Sequence, residues 1–275
     1  MSTVVLITGA STGLGYEVAR ALCSSDQDYE LVLAAMTDLL AFETRMALWT
    51  EFPDSAGHVH PVTMDVEDDN SIQKAFNLVK DKYDRLDVLV NNAGRCHGIH
   101  WGNGGRASHY EMNLHKYVST PSLEQNMERQ RRRLANCHKH LYPSFTQVYQ
   151  SSIIILIQRD FHTGRLRKHR YPNEQIPSKG MAKGIWNRRA RISKLIELLT
   201  QLNREWHRIL KDDGVNVWAI SPGYLATGLG GSAEEKRQQG ALEPSVGGEF
   251  IRDVIEGARD DDVGKVITRF GIQPW

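Results

Sequence analysis

Thr8-Gly9-Ala10-Ser11-Thr12-Gly13-Leu14-Gly15 follows the apolar run Val4-Val5-Leu6-Ile7 and precedes a helical pattern from Tyr16 to Cys23. Strand, glycine turn and helix, in that order, form the context that a dinucleotide phosphate site requires. A glycine triplet alone marks any tight turn, but here each glycine has a task. Gly9 turns the chain sharply out of the strand. Gly13 lets backbone approach a pyrophosphate with no Cβ in the way, and Gly15 lets the helix lie close to the sheet. The helix start offers free N–H groups and the positive end of its dipole to the anion.

The spacing Gly-x-x-x-Gly-x-Gly behind a threonine resembles the short-chain dehydrogenase/reductase family rather than the Gly-x-Gly-x-x-Gly of other dinucleotide folds. Three further stretches carry the resemblance in order: Met64-Asp65-Val66, then Leu86-Asp87-Val88-Leu89-Val90-Asn91-Asn92-Ala93-Gly94, and finally Ser221-Pro222-Gly223-Tyr224-Leu225-Ala226-Thr227. It covers residues 1–94 and 203–275 well. It implies an α/β fold: a single doubly wound Rossmann-type domain over residues 1–275 with a mostly parallel sheet. It also implies an NAD(P)H-dependent oxidoreductase interconverting a carbonyl and a secondary alcohol, with a role in secondary metabolism. Carried over residue by residue, the cofactor contacts are Gly9, Ser11, Gly13, Leu14, Gly15, Asp65, Asn92, Gly94 and Thr227. Asp65 would face the adenine amino group, although its position also suits a helix N-cap. Thr227 would bind the nicotinamide carboxamide, and family members often pair into homo-oligomers.

The 275 residues suffice for one domain with a full core. A hydrophobic fraction of 40% and a charged fraction of 24% are ordinary for a soluble globular chain. A net charge of +1 gives no whole-chain argument for nucleic acid or membrane. Cys23, Cys96 and Cys137 form no disulfide framework, which suits a reducing compartment. With neither a signal peptide nor a long apolar segment in view, the expected location is cytoplasmic.

Along the chain, residues 3–8, Glu30–Ala35, His58–Met64, Val88–Val90, Ser151–Ile157, Val215–Ile220 and Gly264–Thr268 read as strands. Helices are expected at Tyr16–Cys23, Leu39–Phe52, Ser71–Tyr83, Leu195–Leu210 and Glu243–Ala258, and Gly228–Gly240 suits a flap over the substrate. The residue ending the second strand chooses the cofactor in folds of this kind: an acid takes the ribose 2′-hydroxyl of NAD, a base the 2′-phosphate of NADP. Here stand Ala35, Met36 and Thr37, with Asp38 too late. Nothing there repels a phosphate and no base holds one. The resemblance favours NADP, with NAD as the alternative.

Residues 95–194 are divergent. From Met127 to Lys194 there are 16 Lys/Arg against 3 Asp/Glu, so near-neutrality hides a basic block inside an acidic chain, and a poorly ordered basic surface is expected. Carbonyl chemistry needs a proton donor beside the carbonyl oxygen and a cation that lowers the donor's pKa. The family uses a Tyr and a Lys four residues apart, a Ser after the fifth strand and an Asn one helix earlier. None of the nine tyrosines is followed by Lys at that spacing. Ala190-Arg191-Ile192-Ser193-Lys194 resembles that site with Ala in the Tyr place, which makes Lys194 the candidate lysine. Ser152 is the candidate serine, although it precedes its strand, and Asn113 the candidate asparagine.

Three explanations stand for this segment: a reading frame displaced across about residues 95–200, a catalytically inactive nucleotide-binding pseudoenzyme, or an enzyme with a donor from elsewhere, such as Tyr171. Cys96-His97 with His100, and Cys137-His138 with His140, lack the spacing of a zinc site, so no metal is expected. The basic block with Tyr142, Phe145 and Tyr149 lies in no recognisable nucleic-acid fold.

Overall fold

A computed structural model describes residues 2–94, 152–156, 201, 203–229 and 232–273. The first strand, β1 (Thr3–Thr8), is apolar and β-branched and is buried from both sides. Its alternate residues serve two cores: Val4 and Leu6 face one, Val5 and Ile7 the other. A strand buried on both faces belongs in the middle of a sheet covered by helices. Around it stand β2 (Tyr29–Ala35), β3 (Val59–Thr63), β4 (Val88–Asn91), β5 (Ser152–Leu156), β6 (Asn216–Ser221), β7 (Val266–Thr268) and β8 (Gly271–Ile272). The spatial order is β3-β2-β1-β4-β5-β6-β7-β8. Among the described strands every pairing is parallel except β7 with β8.

Helices fill both faces. On one lie α1 (Gly13–Cys23), α2 (Asp38–Glu51) and α6 (Pro244–Ile255), packing Leu14, Val18, Leu48, Ile251 and Val254 against Ile7, Leu33 and Ile220. On the other lie α3 (Asp69–Tyr83) and α4 (203–210), with Ile72, Phe76, Val79, Trp206 and Leu210 against Val4, Leu6, Val32 and Leu89. The 3–4 spacing of Ile72, Ala75, Phe76 and Val79 therefore marks the buried stripe of α3. Ile209 of α4 is half exposed. A short helix α5 (Ala233–Gln238) stands inside the segment expected to be a flap.

The chain runs β1, β2, β3 toward one edge and then returns to start β4 on the other side of β1. Crevices open where the strand order reverses, outside the carboxyl ends of the strands. That switch point lies between β1 and β4, where the glycine turn and Asn91-Asn92-Ala93-Gly94 emerge.

Candidate functional site

Two chain segments leave the sheet side by side at the switch point, and Thr8 joins them. Its hydroxyl donates to the Val90 carbonyl at 3.3 Å and accepts the backbone N–H groups of Asn92 at 3.0 Å and Ala93 at 2.9 Å. In return, the Asn92 side-chain amide donates to the carbonyls of Thr8 at 2.9 Å and Gly9 at 3.0 Å. Both exits are thereby locked to each other. The glycines make room for this. Gly9 has φ +64°, and a Cβ there would come within 2.8 Å of the Ala93 Cα. A Cβ on Gly15 would fall onto the Asn92 amide nitrogen and sit 2.6 Å from the Gly9 carbonyl. Gly15 thus admits the Asn92 side chain as well as close helix packing, a partner the spacing alone does not name.

The helix beyond the turn is prepared for an anion. Thr12 is the N-cap of α1 but makes no side-chain cap bond, and the first turn carries no acid. The N–H groups and the dipole of an eleven-residue helix then face the turn with no side-chain cap or acid to compensate them. Leu14 and Gly15 are buried beneath it, and Ser11 is partly exposed on its rim. Thr227, 6% exposed, closes the opposite side: a Cβ on Gly13 would stand 3.6 Å from the Thr227 Cβ. The structure thus brings together Gly9, Ser11, Gly13, Leu14, Gly15, Asn92 and Thr227. Gly94 follows on the same exit.

At the adenosine end, Asp65 follows β3 and its Oδ1 accepts the Glu67 N–H at 2.9 Å, closing a tight turn. The N-cap of α3 is Asp68 instead, accepting from the Asn70 N–H at 3.0 Å. Beyond β2, the Thr37 hydroxyl caps α2 through the Leu40 N–H at 3.3 Å, and the Asp38 carboxylate accepts the Thr63 hydroxyl. Both polar side chains are used locally, and Met36 is exposed beside them. A dinucleotide fits these residues: a phosphate cradle with uncapped N–H groups, and an adenosine end with neither a base nor an outward acid.

The catalytic candidates fare differently. Ser152 opens β5, opposite Val88 and Asn216, while Ile155 is the residue opposite Asn91. Because the strands are parallel, Ser152 lies at the amino end of the sheet, away from the turn. The register therefore does not bring this candidate serine to the turn. Lys194, Asn113, Tyr171 and the cysteine–histidine pairs lie outside the described residues, as does all of 95–194 except β5. Among the described residues, no group of His, Cys, Asp and Glu could hold a metal ion, and no helix is long and apolar enough to cross a membrane.

Thr8 is the functional residue that sequence reasoning leaves without a role. Its signal is a hydroxyl at the end of an otherwise apolar strand. Asn91, in the stretch beside it, is 6% exposed and its side-chain nitrogen has no hydrogen-bond partner among the described residues. A buried unpaired amide is costly enough to mark the carboxyl end of β4 as a polar position within the core.

The short chain dehydrogenase family profile matches residues 3–148. The short-chain dehydrogenase/reductase eupG of Phoma sp is 32% identical, covering 99% of this chain and 97% of its own length. The short-chain dehydrogenase/reductase tropE of Talaromyces stipitatus is 30% identical, covering 98% and 97%. Both alignments therefore run through residues 95–194. Among solved structures, the NADPH-bound short chain oxidoreductase of Pseudomonas aeruginosa with an atypical catalytic center shares the fold, with a TM-score of 0.69 at 14% identity, covering 97% of this chain and 94% of that one. The chain belongs to the short-chain dehydrogenase/reductase family.

Proposed function

We propose that this protein is an NADP(H)-dependent oxidoreductase interconverting a small-molecule carbonyl and a secondary alcohol, with NAD as the alternative cofactor. In this reading it is one domain, acts in the cytoplasm, serves secondary metabolism and pairs into a homo-oligomer. The observation that carries it is the phosphate cradle: the Asn92 amide holds the Thr8 and Gly9 carbonyls beneath the uncapped start of α1. When bound, the nicotinamide supplies or accepts the hydride. The chain's own residues would do the rest. Gly9 to Gly15 cradle the pyrophosphate, Asp65 borders the adenine, and Thr227 positions the carboxamide. Lys194 and Asn113 are the places at which this reading puts a lysine and an asparagine of the chemistry, and their replacement tests it.

The cofactor half is tested by titrating the protein with NADPH and NADH, following nicotinamide fluorescence. Saturable binding of NADPH supports the reading, and absence of binding to either dinucleotide overturns it. The chemical half is tested by NADPH oxidation on a panel of ketones and aldehydes.

A second reading rests on the absence of any Tyr followed by Lys four residues later. Without that pair the chain would bind the dinucleotide and act through a partner, and binding with no turnover on any carbonyl would favour it. A displaced reading frame over about residues 95–200 explains the same absence. Sequencing the transcript across codons 95–203 separates them, because only a displaced frame restores Tyr-x-x-x-Lys.

A further inference from the structure

Lys236 is 5% exposed, although it belongs to a six-residue helix outside both cores. Lysine is almost never buried so fully without a partner, because its ammonium must be hydrogen-bonded to leave water. The Lys236 Nζ donates to the carbonyl of Leu229, seven residues earlier and two beyond Thr227. The same residue's backbone carbonyl accepts the Ala241 N–H at 2.9 Å. One residue later the chain is zipped to the start of the segment: the Leu242 N–H donates to the Tyr224 carbonyl at 2.9 Å, and the Ala226 N–H to the Leu242 carbonyl at 2.8 Å. The excursion between Thr227 and Leu242 is therefore clamped at its base by backbone pairing, and its two sides are tied together by a buried cation.

We propose that Lys236 is the latch of this flap, a positioning residue whose ammonium on the Leu229 carbonyl holds the segment after Thr227 closed beside the cofactor cradle. The backbone clamp fixes where the excursion starts and ends, and the Tyr224 hydroxyl donates to Gln239 Oε1 at 3.0 Å near its base. The lysine adds a tie higher up, between Leu229 and α5. It acts through the Leu229 carbonyl, two residues from a threonine that packs against the glycine turn. Opening the flap requires the ammonium to leave its carbonyl, so the latch sets the balance between a closed and an open loop. The inference rests on the reading of the cleft as a dinucleotide site for its consequence, but not for the latch itself.

The test compares Lys236→Met, which keeps the apolar stem and loses the donor, with Lys236→Arg, which keeps a donor. Amide hydrogen exchange of residues 228–229 and 232–241 is measured with and without NADPH, alongside NADPH affinity. A bond from a charged donor is strong enough that its loss should speed flap exchange by about tenfold or more. In Lys236→Met this acceleration should be confined to the flap, with β1 and β2 keeping their protection, and NADPH binding should weaken severalfold. Lys236→Arg should restore most of both. Unchanged flap exchange in Lys236→Met overturns the latch. So does acceleration spread evenly over the sheet, or an arginine variant as fast as the methionine one. If the unsubstituted protein binds no NADPH, the cofactor reading fails, and exchange of the free protein still decides the latch.

Discussion

The Asn92 side-chain amide spans two consecutive carbonyls, those of Thr8 at 2.9 Å and Gly9 at 3.0 Å, while the Thr8 hydroxyl accepts the Asn92 backbone N–H at 3.0 Å. The bonds run in both directions between the ends of β1 and β4. Neither exit can shift without breaking bonds made by the other. Asn92→Ala removes the amide and strands two carbonyls beside the turn. We expect a stability loss of about 1–3 kcal/mol in urea unfolding, together with at least about tenfold weaker NADPH binding, since the cradle loses its floor. Asn92→Asp, with no donor to offer, should resemble Asn92→Ala in binding. An alanine variant that bound NADPH normally would show that the clasp is not what shapes the cradle.

Thr37 is where a cofactor preference can be written in. It stands two residues beyond β2, and its hydroxyl is spent on capping α2. Thr37→Arg gives up that cap, which costs about 1 kcal/mol, and places a guanidinium at the adenosine end, where it can pair with a 2′-phosphate. The expected result is a slightly less stable protein whose ratio of NADPH to NADH affinity rises by roughly tenfold, a gain of about 1.4 kcal/mol. The two titrations, run on both proteins, measure that ratio directly. Equal changes for the two cofactors would place the adenosine ribose elsewhere.

Much of this site is legible in the sequence because each part has a local cause. The glycine turn shows itself through a buried apolar strand on one side and a helical stripe on the other. Asn92 is legible only by resemblance, since its partners are 83 and 84 residues away and nothing in its own neighbourhood names them. Asp65 illustrates the opposite difficulty. An aspartate before a helix invites a capping role, but the turn it closes pushes the cap along to Asp68, and only the backbone path decides between them. The hairpin strand β8 escapes notice because two residues, Gly271 and Ile272, carry no periodicity. Ser152 already stands before its strand in the sequence, and the parallel pairing with β4 adds that this end lies away from the cradle.

A pH response should come from the far edge of the sheet. Glu30 on β2 pairs with His58 Nδ1 at 2.8 Å and His60 Nε2 at 2.7 Å and accepts the Tyr83 hydroxyl at 3.0 Å. Lys82 Nζ lies 2.7 Å from His60 Nδ1. A neutral His60 with its proton on Nε2 satisfies both neighbours, donating to Glu30 and accepting from Lys82. Burial lowers the His60 pKa; Glu30 opposes this, and the charges of Lys82 and Arg45 reinforce it, leaving it below its ordinary value. Burial pushes Glu30 up, but the bonds from His58, His60 and Tyr83 outweigh it and hold it low. For a histidine with a depressed folded pKa, the unfolded chain takes up the proton first as pH falls. The stability tied to neutral His60 is therefore full above an ordinary histidine pKa of about 6.5 and declines below it. The Glu30 share is lost lower still, as pH falls through its depressed folded pKa. Unfolding midpoints between pH 8 and 5 should fall more steeply for the unsubstituted protein than for His60→Gln, and parallel curves would exclude His60 as the source.

The placement of α1, and with it the cradle, depends on a glycine in another helix. A Cβ on Gly248 of α6 would come within 2.6 Å of the Glu17 carbonyl carbon and closer still to its oxygen, both backbone atoms of α1. Gly247 is also crowded, but its close neighbours are the Leu225 and Leu14 Cδ1 atoms, the far ends of flexible side chains. Backbone cannot yield without moving the helix, whereas a leucine can change rotamer. Gly248→Ala should therefore cost about 1–3 kcal/mol and weaken NADPH binding, because relieving the clash parts α1 from α6 and disturbs the helix whose start faces the turn. Gly247→Ala should cost less and leave binding nearer normal. Gly228→Ala, with nothing within 4 Å of its added methyl, serves as the comparison. If the two α6 variants proved equally harmful to NADPH binding, the close approach of α6 to Glu17 would not be what sets the position of α1.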